Sequence, residues 1–235
     1  MAKTPREIVD EGRLSGWQIA ALGMTILLNA LDGFDVMSIS FAAPGIAEEW
    51  QVPQDVLGWV LSMELIGMAV GSILLGGMAD RFGRRPTILG CLTVMGAGML
   101  LVPTATGVAR LSLWRLLTGL GIGGMLAALN ATVAEFSNAR YRSLVLPLMV
   151  TGYPLGAFLG GMMAANVLDA SDWRGVFYLG AGLTIAAIPL TFFLIPETPD
   201  WLVDCRPVNA LQRINATLRR FRLPCQSADL DPSKK

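Results

Sequence analysis

The charged turn at residues 76 to 86, GGMADRFGRRP, interrupts two long apolar segments of this chain. It contains the ionisable residues Asp80, Arg81, Arg84 and Arg85. A charged side chain at the centre of a bilayer costs roughly 3 kcal/mol or more, so such residues are rare within membrane-spanning segments. The turn is therefore predicted to mark a point where the chain leaves a membrane and re-enters it.

The composition agrees with a membrane as the solvent. Hydrophobic residues make up 53% of the 235 residues, charged residues only 15%, and the mean hydropathy is +0.54. An ordinary soluble domain carries less apolar surface than this. The formal net charge is zero, which gives no support to nucleic-acid binding.

Six apolar windows of about 20 residues, the length that a membrane-spanning helix needs, can be drawn along the chain. They run approximately from 17 to 39, 55 to 79, 86 to 104, 110 to 133, 143 to 166 and 174 to 195. The sequence therefore predicts an N-terminal segment at residues 1–16, a transmembrane bundle at 17–195 and a polar tail at 196–235.

Lys and Arg residues are concentrated on one side of the predicted membrane. They occur in the N-terminal segment, in the second and fourth connections and in the tail, whereas residues 40–54 contain none. Because positively charged connections stay in the cytoplasm, both termini are predicted to be cytoplasmic. The expected location is the inner, or plasma, membrane.

The spacing Gly77-x-x-Asp80-Arg81-x-Gly83-Arg84-Arg85 resembles the loop between the second and third helices of major facilitator superfamily transporters. These transporters have two six-helix bundles, with the substrate between them. The resemblance implies an all-α membrane protein with one bundle, half of the usual twelve helices. It also implies that this loop gates the transporter, with Asp80 bracing the two bundles. The two glycines are expected to allow close backbone approach and unusual dihedral angles, and Asp80 to complement a helix N-terminus. The alternative is that the loop only anchors the topology.

Asn29, Asp32 and Asp35 lie at three-residue spacing in the first apolar window, which places them along one side of a helix. Intramembrane acids face cavities, pair with partners or carry protons. Since the chain has no histidine, a proton relay would depend on carboxylates. The alternative is that the span ends near Gly33, where water would solvate both acids.

The segment LDGFDVMSISFAAPGIAEEW, residues 31 to 50, is similar to the first-helix signature of the aromatic acid:proton symporter family. This family imports benzoate-type acids with the inward proton gradient. The resemblance implies that Asp32 and Asp35 are required for transport.

Three further charged residues lie in or near the apolar windows. Arg115 is followed by spaced glycines, as in the fourth helix of the superfamily; it either binds an anionic ligand or extends to the membrane surface. Glu64 is predicted to lie near the outer surface, with no assigned function. Glu135 is expected to pair with Arg140 or Arg142.

The fifth window carries Gly152, Gly156 and Gly160 at four-residue spacing, with Pro154 among them. Small residues in this register predict close helix packing, and the proline predicts a locally weakened helix that could act as a hinge. In the tail, apolar residues at helical spacing predict one basic surface helix. They are Trp201, Leu202, Leu211, Ile214, Leu218 and Phe221.

The function that the resemblance implies is proton-coupled uptake of aromatic carboxylates, such as benzoate or hydroxybenzoates, by the N-terminal half of a transporter. The implied partners are the substrate, protons, the lipid bilayer and a second six-helix bundle or a second copy of the chain. The alternatives are a truncated fragment that does not transport, or a sugar-porter-like facilitator, against which the paired acids argue. No nucleophile with a base, metal cluster or phosphate loop indicates an enzyme, a cofactor or a metal site.

Overall fold

The computed structural model describes residues 4–12, 14–206 and 209–225, and every regular element in these ranges is a helix. The predicted all-α fold is therefore confirmed. The helices are α1 (Pro5–Glu11), α2 (Gly16–Trp50), α3 (Gln54–Phe82), α4 (Arg84–Leu101), α5 (Val108–Phe136), α6 (Arg142–Val150), α7 (Gly152–Ala170), α8 (Arg174–Leu194), α9 (Pro199–Cys205) and α10 (Ala210–Arg220).

Six segments of the described chain are long and apolar enough to cross a membrane, which confirms the predicted number. Helices α6 and α7 together form the fifth span, Arg142–Ala170, and a short 3-10 turn, Val102–Thr104, extends the third. The alternation of spans places both ends of the described chain on the same side of the bundle. We call this the terminal side and the opposite one the far side.

The first span is much longer than the predicted window, which was expected to end near residue 39. Helix α2 has 35 residues, and Ile39, Ala42 and Ile46 continue its buried side beyond that point. Pro44 lies inside the helix without ending it. The helix ends at Gln51, whose φ of 52° is left-handed. The alternative that the span ends near Gly33 is therefore wrong.

Helices α3 and α5 pack backbone against backbone. A Cβ added at Gly67 would lie 2.3 Å from the Leu116 carbonyl oxygen, and one at Gly123 would lie 2.0 Å from that of Met68. Real Cβ atoms do not approach an oxygen so closely, so only glycine permits this separation. The contact sets the distance between side chains that α3 and α5 direct into the bundle.

Helix α7 packs on α2 in the same way. A Cβ at Gly156 would lie 1.8 Å from the Ala30 carbonyl oxygen, and Gly152 and Gly160 face Ile26 and Phe34 of the same helix. The fifth span is interrupted at Thr151, between α6 and α7. Pro154 accounts for the position of this break, because it has no N–H for the carbonyl four residues earlier.

The tail forms two short helices, α9 and α10, where one was predicted. Leu202 of α9, Ile214 and Leu218 of α10 and the following Phe221 are buried. The Phe221 ring lies 5.1 Å from that of Phe136 at the end of α5. The tail is thus packed onto the terminal side of the bundle.

Candidate functional site

Four charged side chains are enclosed in the membrane-spanning part of the bundle, and each has an exposed fraction of 0%. They are Asp32 and Asp35 of α2, Glu64 of α3 and Arg115 of α5. We call these four residues the buried charge cluster. Charged groups are among the residues that proteins bury least often, and then mostly in pairs. Three helices therefore meet at a site with a high electrostatic cost.

Arg115 connects two of the acids. Its Nη1 donates a 2.6 Å hydrogen bond to Asp35 Oδ1, and its Nη2 donates to the Asp35 carbonyl oxygen at 2.8 Å. Nη2 also pairs with Glu64 Oε2. The guanidinium lies 5.8 Å from the centre of the Phe177 ring. Because the whole side chain is buried, the alternative that Arg115 extends to the membrane surface is wrong.

Glu64 lies inside the bundle, so the expectation that it sits near the outer surface is also wrong. The glycines that follow Arg115 explain why Glu64 lies inside the bundle. A Cβ at Gly119 would lie 2.1 Å from the Glu64 carbonyl oxygen, so α3 and α5 meet at the level of the ion pair. The sequence did contain a signal for Glu64, because an acidic residue within an apolar helix by itself indicates a functional site.

Only some of the carboxylate oxygens in the buried charge cluster have hydrogen-bond partners. Neither carboxylate oxygen of Asp32 has a hydrogen-bond partner in the described part of the chain, and the same holds for Asp35 Oδ2 and Glu64 Oε1. Asp35 and Glu64 share one guanidinium, whereas Asp32 receives no hydrogen bond from it. A buried carboxylate without a partner is far more costly as an anion than as a neutral acid. The arrangement is therefore suited to bind protons.

Asn29 does not join the cluster by a hydrogen bond. Its Nδ2 donates to the Met149 carbonyl oxygen at 2.7 Å, near the end of α6 and just before the break at Thr151. A Cβ at Gly33 would lie 2.0 Å from the Tyr153 carbonyl oxygen. Helix α2 is thus fixed against the interrupted fifth span at the level of the acids.

A second group of charges lies on the terminal side around Arg84, which we call the Arg84 network. The Arg84 guanidinium pairs with Asp80 and, at 3.1 Å, with Glu135. The expectation that Glu135 pairs with Arg140 or Arg142 is wrong, since Arg142 pairs with Asp10 of α1 instead. The Asp80 side chain is 73% exposed, whereas that of Glu135 is 13% exposed.

Glu197, from the PETPDWL segment, occupies the position expected of Asp80 at a helix N-terminus. Its Oε1 accepts hydrogen bonds from the backbone N–H groups of Arg84 at 2.9 Å and Arg85 at 3.4 Å, at the start of α4. Gly83 has a φ of +109°, and a Cβ there would lie 2.4 Å from Glu197 Oε2. Burial raises the pKa of Glu197, and these backbone hydrogen bonds act against that rise.

The other loop residues have different surroundings. Gly77 is within α3, and a Cβ there would meet no atom of the described chain within 4 Å. Close approach at Gly77 is therefore not seen within this bundle. Arg81 is exposed, with its guanidinium 5.5 Å from the centre of the Phe82 ring.

Helix α1 attaches the N-terminal segment to the tail. Arg6 Nη1 pairs with Asp200 of α9 at 3.1 Å, and Arg6 Nη2 donates to the Ala134 carbonyl oxygen at 3.0 Å, near the end of α5. Burial raises the pKa of Asp200 to about 6, although the Arg6 charge acts in the opposite direction. No group of His, Cys, Asp and Glu residues able to hold a metal ion occurs among the described residues.

A bundle of six spans with a charged cluster in its interior is typical of multi-pass membrane transporters. Residues 25–224 match the model of the Major Facilitator Superfamily, and the chain belongs to this family. The predicted fold, one major facilitator bundle, is thereby confirmed.

The chain is 31% identical to a gallate transporter of Pseudomonas putida over 201 residues, which cover 84% of this chain and 44% of the transporter. It is 32% identical to the 4-hydroxybenzoate transporter PcaK of Acinetobacter baylyi, covering 83% of this chain and 43% of that protein. The chain thus spans somewhat less than half the length of these relatives.

Among solved structures, the xylose transporter XylE from E. coli in a partially occluded inward open conformation superposes with a TM-score of 0.76. The sequence identity is 19%, and the match covers 88% of this chain and 56% of that structure. At this identity the likeness concerns the fold alone.

Proposed function

We propose that this chain is one half of a secondary transporter that moves aromatic carboxylates across the inner membrane together with protons. The observation that carries the proposal is the buried charge cluster, in which Arg115 is shared by Asp35 and Glu64 while Asp32 has no partner. The similarity to gallate and 4-hydroxybenzoate transporters supports the substrate class.

Charge balance explains the coupling to protons. If all three acids of the cluster were ionised, the single guanidinium of Arg115 would leave two negative charges without compensation. Uncompensated buried charges cost several kcal/mol each, so the cluster is most stable when protons neutralise the excess. Asp32 is the first proton site in this scheme, because it has no partner to stabilise its anion.

The same charge balance in the buried charge cluster explains how the substrate would bind. The guanidinium of Arg115 is a suitable partner for a ring carboxylate, but Asp35 and Glu64 occupy it in this arrangement. Protonation of either acid weakens its hold on Arg115 and frees donors for the substrate. Proton and substrate therefore bind together, which is the requirement for symport.

The proposed orientation puts the terminal side in the cytoplasm. The asymmetry of Lys and Arg between the connections supports it. A reporter fused near Gln51 is expected to be external and one at Ser137 cytoplasmic; the reverse pattern would exclude this topology.

The Arg84 network is proposed as the gating element. Asp80 is largely exposed and Gly77 adjoins open space, so both are available to a second bundle or a second copy of the chain. The break at Thr151 is the proposed hinge; Pro154 follows it closely, and Gly152, Gly156 and Gly160 retain close contact with α2.

The substrate class is tested by uptake into proteoliposomes with an inward proton gradient. The chain is reconstituted alone and with the second bundle of a 4-hydroxybenzoate transporter. Labelled 4-hydroxybenzoate is expected to accumulate only with the second bundle, because alternating access needs two bundles that enclose the site. Xylose serves as the matched control for a sugar.

We expect Asp32→Asn and Asp35→Asn to lose uptake. The exposed control Asp169→Asn is expected to keep normal uptake. Equal accumulation of xylose and 4-hydroxybenzoate, or normal accumulation in both cluster variants, would contradict the proposal.

A further inference from the structure

Three arginines gather at the outer edge of the terminal side, where α4, α8 and α10 meet. They are Arg85 at the start of α4 and Arg213 and Arg220 of α10, and we call them the arginine cluster. Arg213 and Arg220 are close enough to Arg85 for their charges to act on it. Because like charges this near repel each other, an anion bound beside the three arginines would stabilise their grouping.

Exposed aromatic rings place the arginine cluster at the edge of the bilayer. Phe192 and Phe193 lie in the last turn of the apolar helix α8 and are 50% and 66% exposed. Trp17, at the start of α2, is 42% exposed. Trp is enriched at the level of the lipid headgroups, and exposed Phe rings at the end of an apolar span provide an apolar surface beside it.

The same aromatic residues hold two of the guanidiniums. Arg85 lies 4.2 Å from the centre of the Phe192 ring and donates a 2.5 Å hydrogen bond to the Phe192 carbonyl oxygen. Arg220 lies 4.3 Å from the Trp17 ring and donates to the Phe193 carbonyl oxygen. Each guanidinium has five N–H donors, so most of them remain for another acceptor.

No acid among the described residues forms an ion pair with the arginine cluster. The nine described ion pairs all involve other arginines: Arg6, Arg84, Arg115, Arg142 and Arg174. Glu197 exerts its charge on Arg85 and Arg213, but its carboxylate already accepts backbone N–H groups at the start of α4. The positive charge of this surface is therefore only partly compensated within the described chain.

Helix α10 presents its arginines outward because its other side is fixed. Ile214 and Leu218 are buried against the bundle, whereas Arg213 and Arg220 are seven residues apart and thus lie on the same side, two turns from each other. The docked helix holds the positive charges beside the lipid-exposed end of α8.

We propose that the arginine cluster binds the phosphate of an anionic phospholipid, such as phosphatidylglycerol, at the edge of the membrane. Arginine suits a phosphate because its planar donors match two phosphate oxygens. A lipid is favoured over a soluble anion since the exposed Phe192 and Phe193 rings provide an apolar surface for its acyl chains next to the charges. This site is separate from the buried charge cluster and does not depend on the proposed transport activity.

The test is native mass spectrometry of the purified chain titrated with phosphatidylglycerol or with neutral phosphatidylcholine. Wild type is expected to retain phosphatidylglycerol preferentially. Each arginine near an anionic lipid contributes about a fivefold gain in affinity, so Arg213→Gln with Arg220→Gln should bind it about 25-fold more weakly. The charge-retaining pair Arg213→Lys with Arg220→Lys should keep most of the preference.

Arg140→Gln is the matched control, because Arg140 is also an exposed arginine of the terminal side, with its guanidinium beside the Tyr141 ring. It should bind the lipid as wild type does. If the double Gln variant fails to fold, the single variant Arg213→Gln, at an exposed side chain, should show the fivefold loss. Equal retention of the two lipids, affinity within twofold of wild type in the Gln variants, or displacement of the lipid by millimolar inorganic phosphate would overturn the proposal.

Discussion

Two of the arginines that pair with two acids each lie in contrasting surroundings, one inside the membrane bundle and one at its terminal side. Arg115 binds Asp35 and Glu64, and all three side chains have an exposed fraction of 0%. Arg84 binds Asp80 and Glu135, with side-chain exposures of 15%, 73% and 13%. The chemical groups are the same, and the surrounding solvent differs.

This difference in solvent determines what each arrangement can do. The exposed Asp80 side chain gives water access to the Arg84 network, and ion pairs that water reaches contribute about 0 to 1 kcal/mol. Breaking a buried pair costs about 3 to 5 kcal/mol, because the remaining charge has neither partner nor water. Protonation of the buried charge cluster therefore has large consequences, whereas the Arg84 network can open and close at low cost.

The largest effect is expected for Arg115→Gln. The variant removes the cation that pairs with the buried Asp35 and Glu64 and should lower the free energy of unfolding by about 3 to 5 kcal/mol at neutral pH. Unfolding in mixed micelles with increasing denaturant measures it, and the exposed Arg110→Gln is the control. A loss below about 1 kcal/mol would mean that the cluster is already neutral or hydrated, and the contrast between the two regions would disappear.

Gly156→Ala should have the next largest effect. The new methyl group would meet the Ala30 carbonyl oxygen, so α2 and α7 must separate, at a cost of about 1 to 3 kcal/mol. Gly182→Ala in α8 is the matched control, since a Cβ there meets no described atom within 4 Å. Equal thermal unfolding temperatures of the two variants would show that this packing does not fix α2, the helix that carries Asp32 and Asp35.

Glu135→Gln should lower the free energy of unfolding by about 1 kcal/mol, less than any change in the buried charge cluster. The side chain loses its charge opposite Arg84 but remains able to accept a hydrogen bond. The measurement is the same unfolding titration, with exposed Glu48→Gln as the control. A loss as large as that of Arg115→Gln would contradict the assignment of this network as a low-cost gate.

The smallest effect is a pH dependence that arises at Asp200. Its folded-state pKa is raised from 3.8 to about 6, so the folded state binds its proton more tightly than the unfolded chain does. The resulting stabilisation is complete below about pH 4 and is lost as the pH rises through 6. After screening by water we expect less than about 1 kcal/mol between pH 4 and 7. Asp200→Asn should flatten this part of the stability profile, and an unchanged profile would contradict the assignment.

The sequence could predict the parts of the fold that depend on composition along the chain. Six spans, the position of the charged turn and the spaced glycines of the fifth helix follow from apolar length and residue size. The end of α2 was missed because the window was drawn by apolar length, whereas buried residues continue on the same side of the helix beyond residue 39. The tail was predicted as one helix because the apolar spacing gives no sign of the break between α9 and α10. Residues 226–235, whose composition predicts disorder, lie outside the described residues.

Pairing between distant residues could not be predicted from spacing. Glu64 and Arg115 are 51 residues apart, as are Arg84 and Glu135, and only the packing of the helices brings each pair together. The expected partners of Glu135 were its neighbours in sequence, whereas α5 carries this residue to the loop between α3 and α4. Glu197 at the start of α4 is a further contact that depends on the whole bundle.

The most direct test of the central claim compares two transport modes in Asp32→Asn, reconstituted with the second bundle. If the buried charge cluster couples protons to transport, the variant should lose accumulation of labelled 4-hydroxybenzoate driven by a pH gradient but retain exchange of labelled for unlabelled substrate at equal pH. Accumulation at the wild-type level in the variant would contradict the claim, because the proton would then be carried elsewhere.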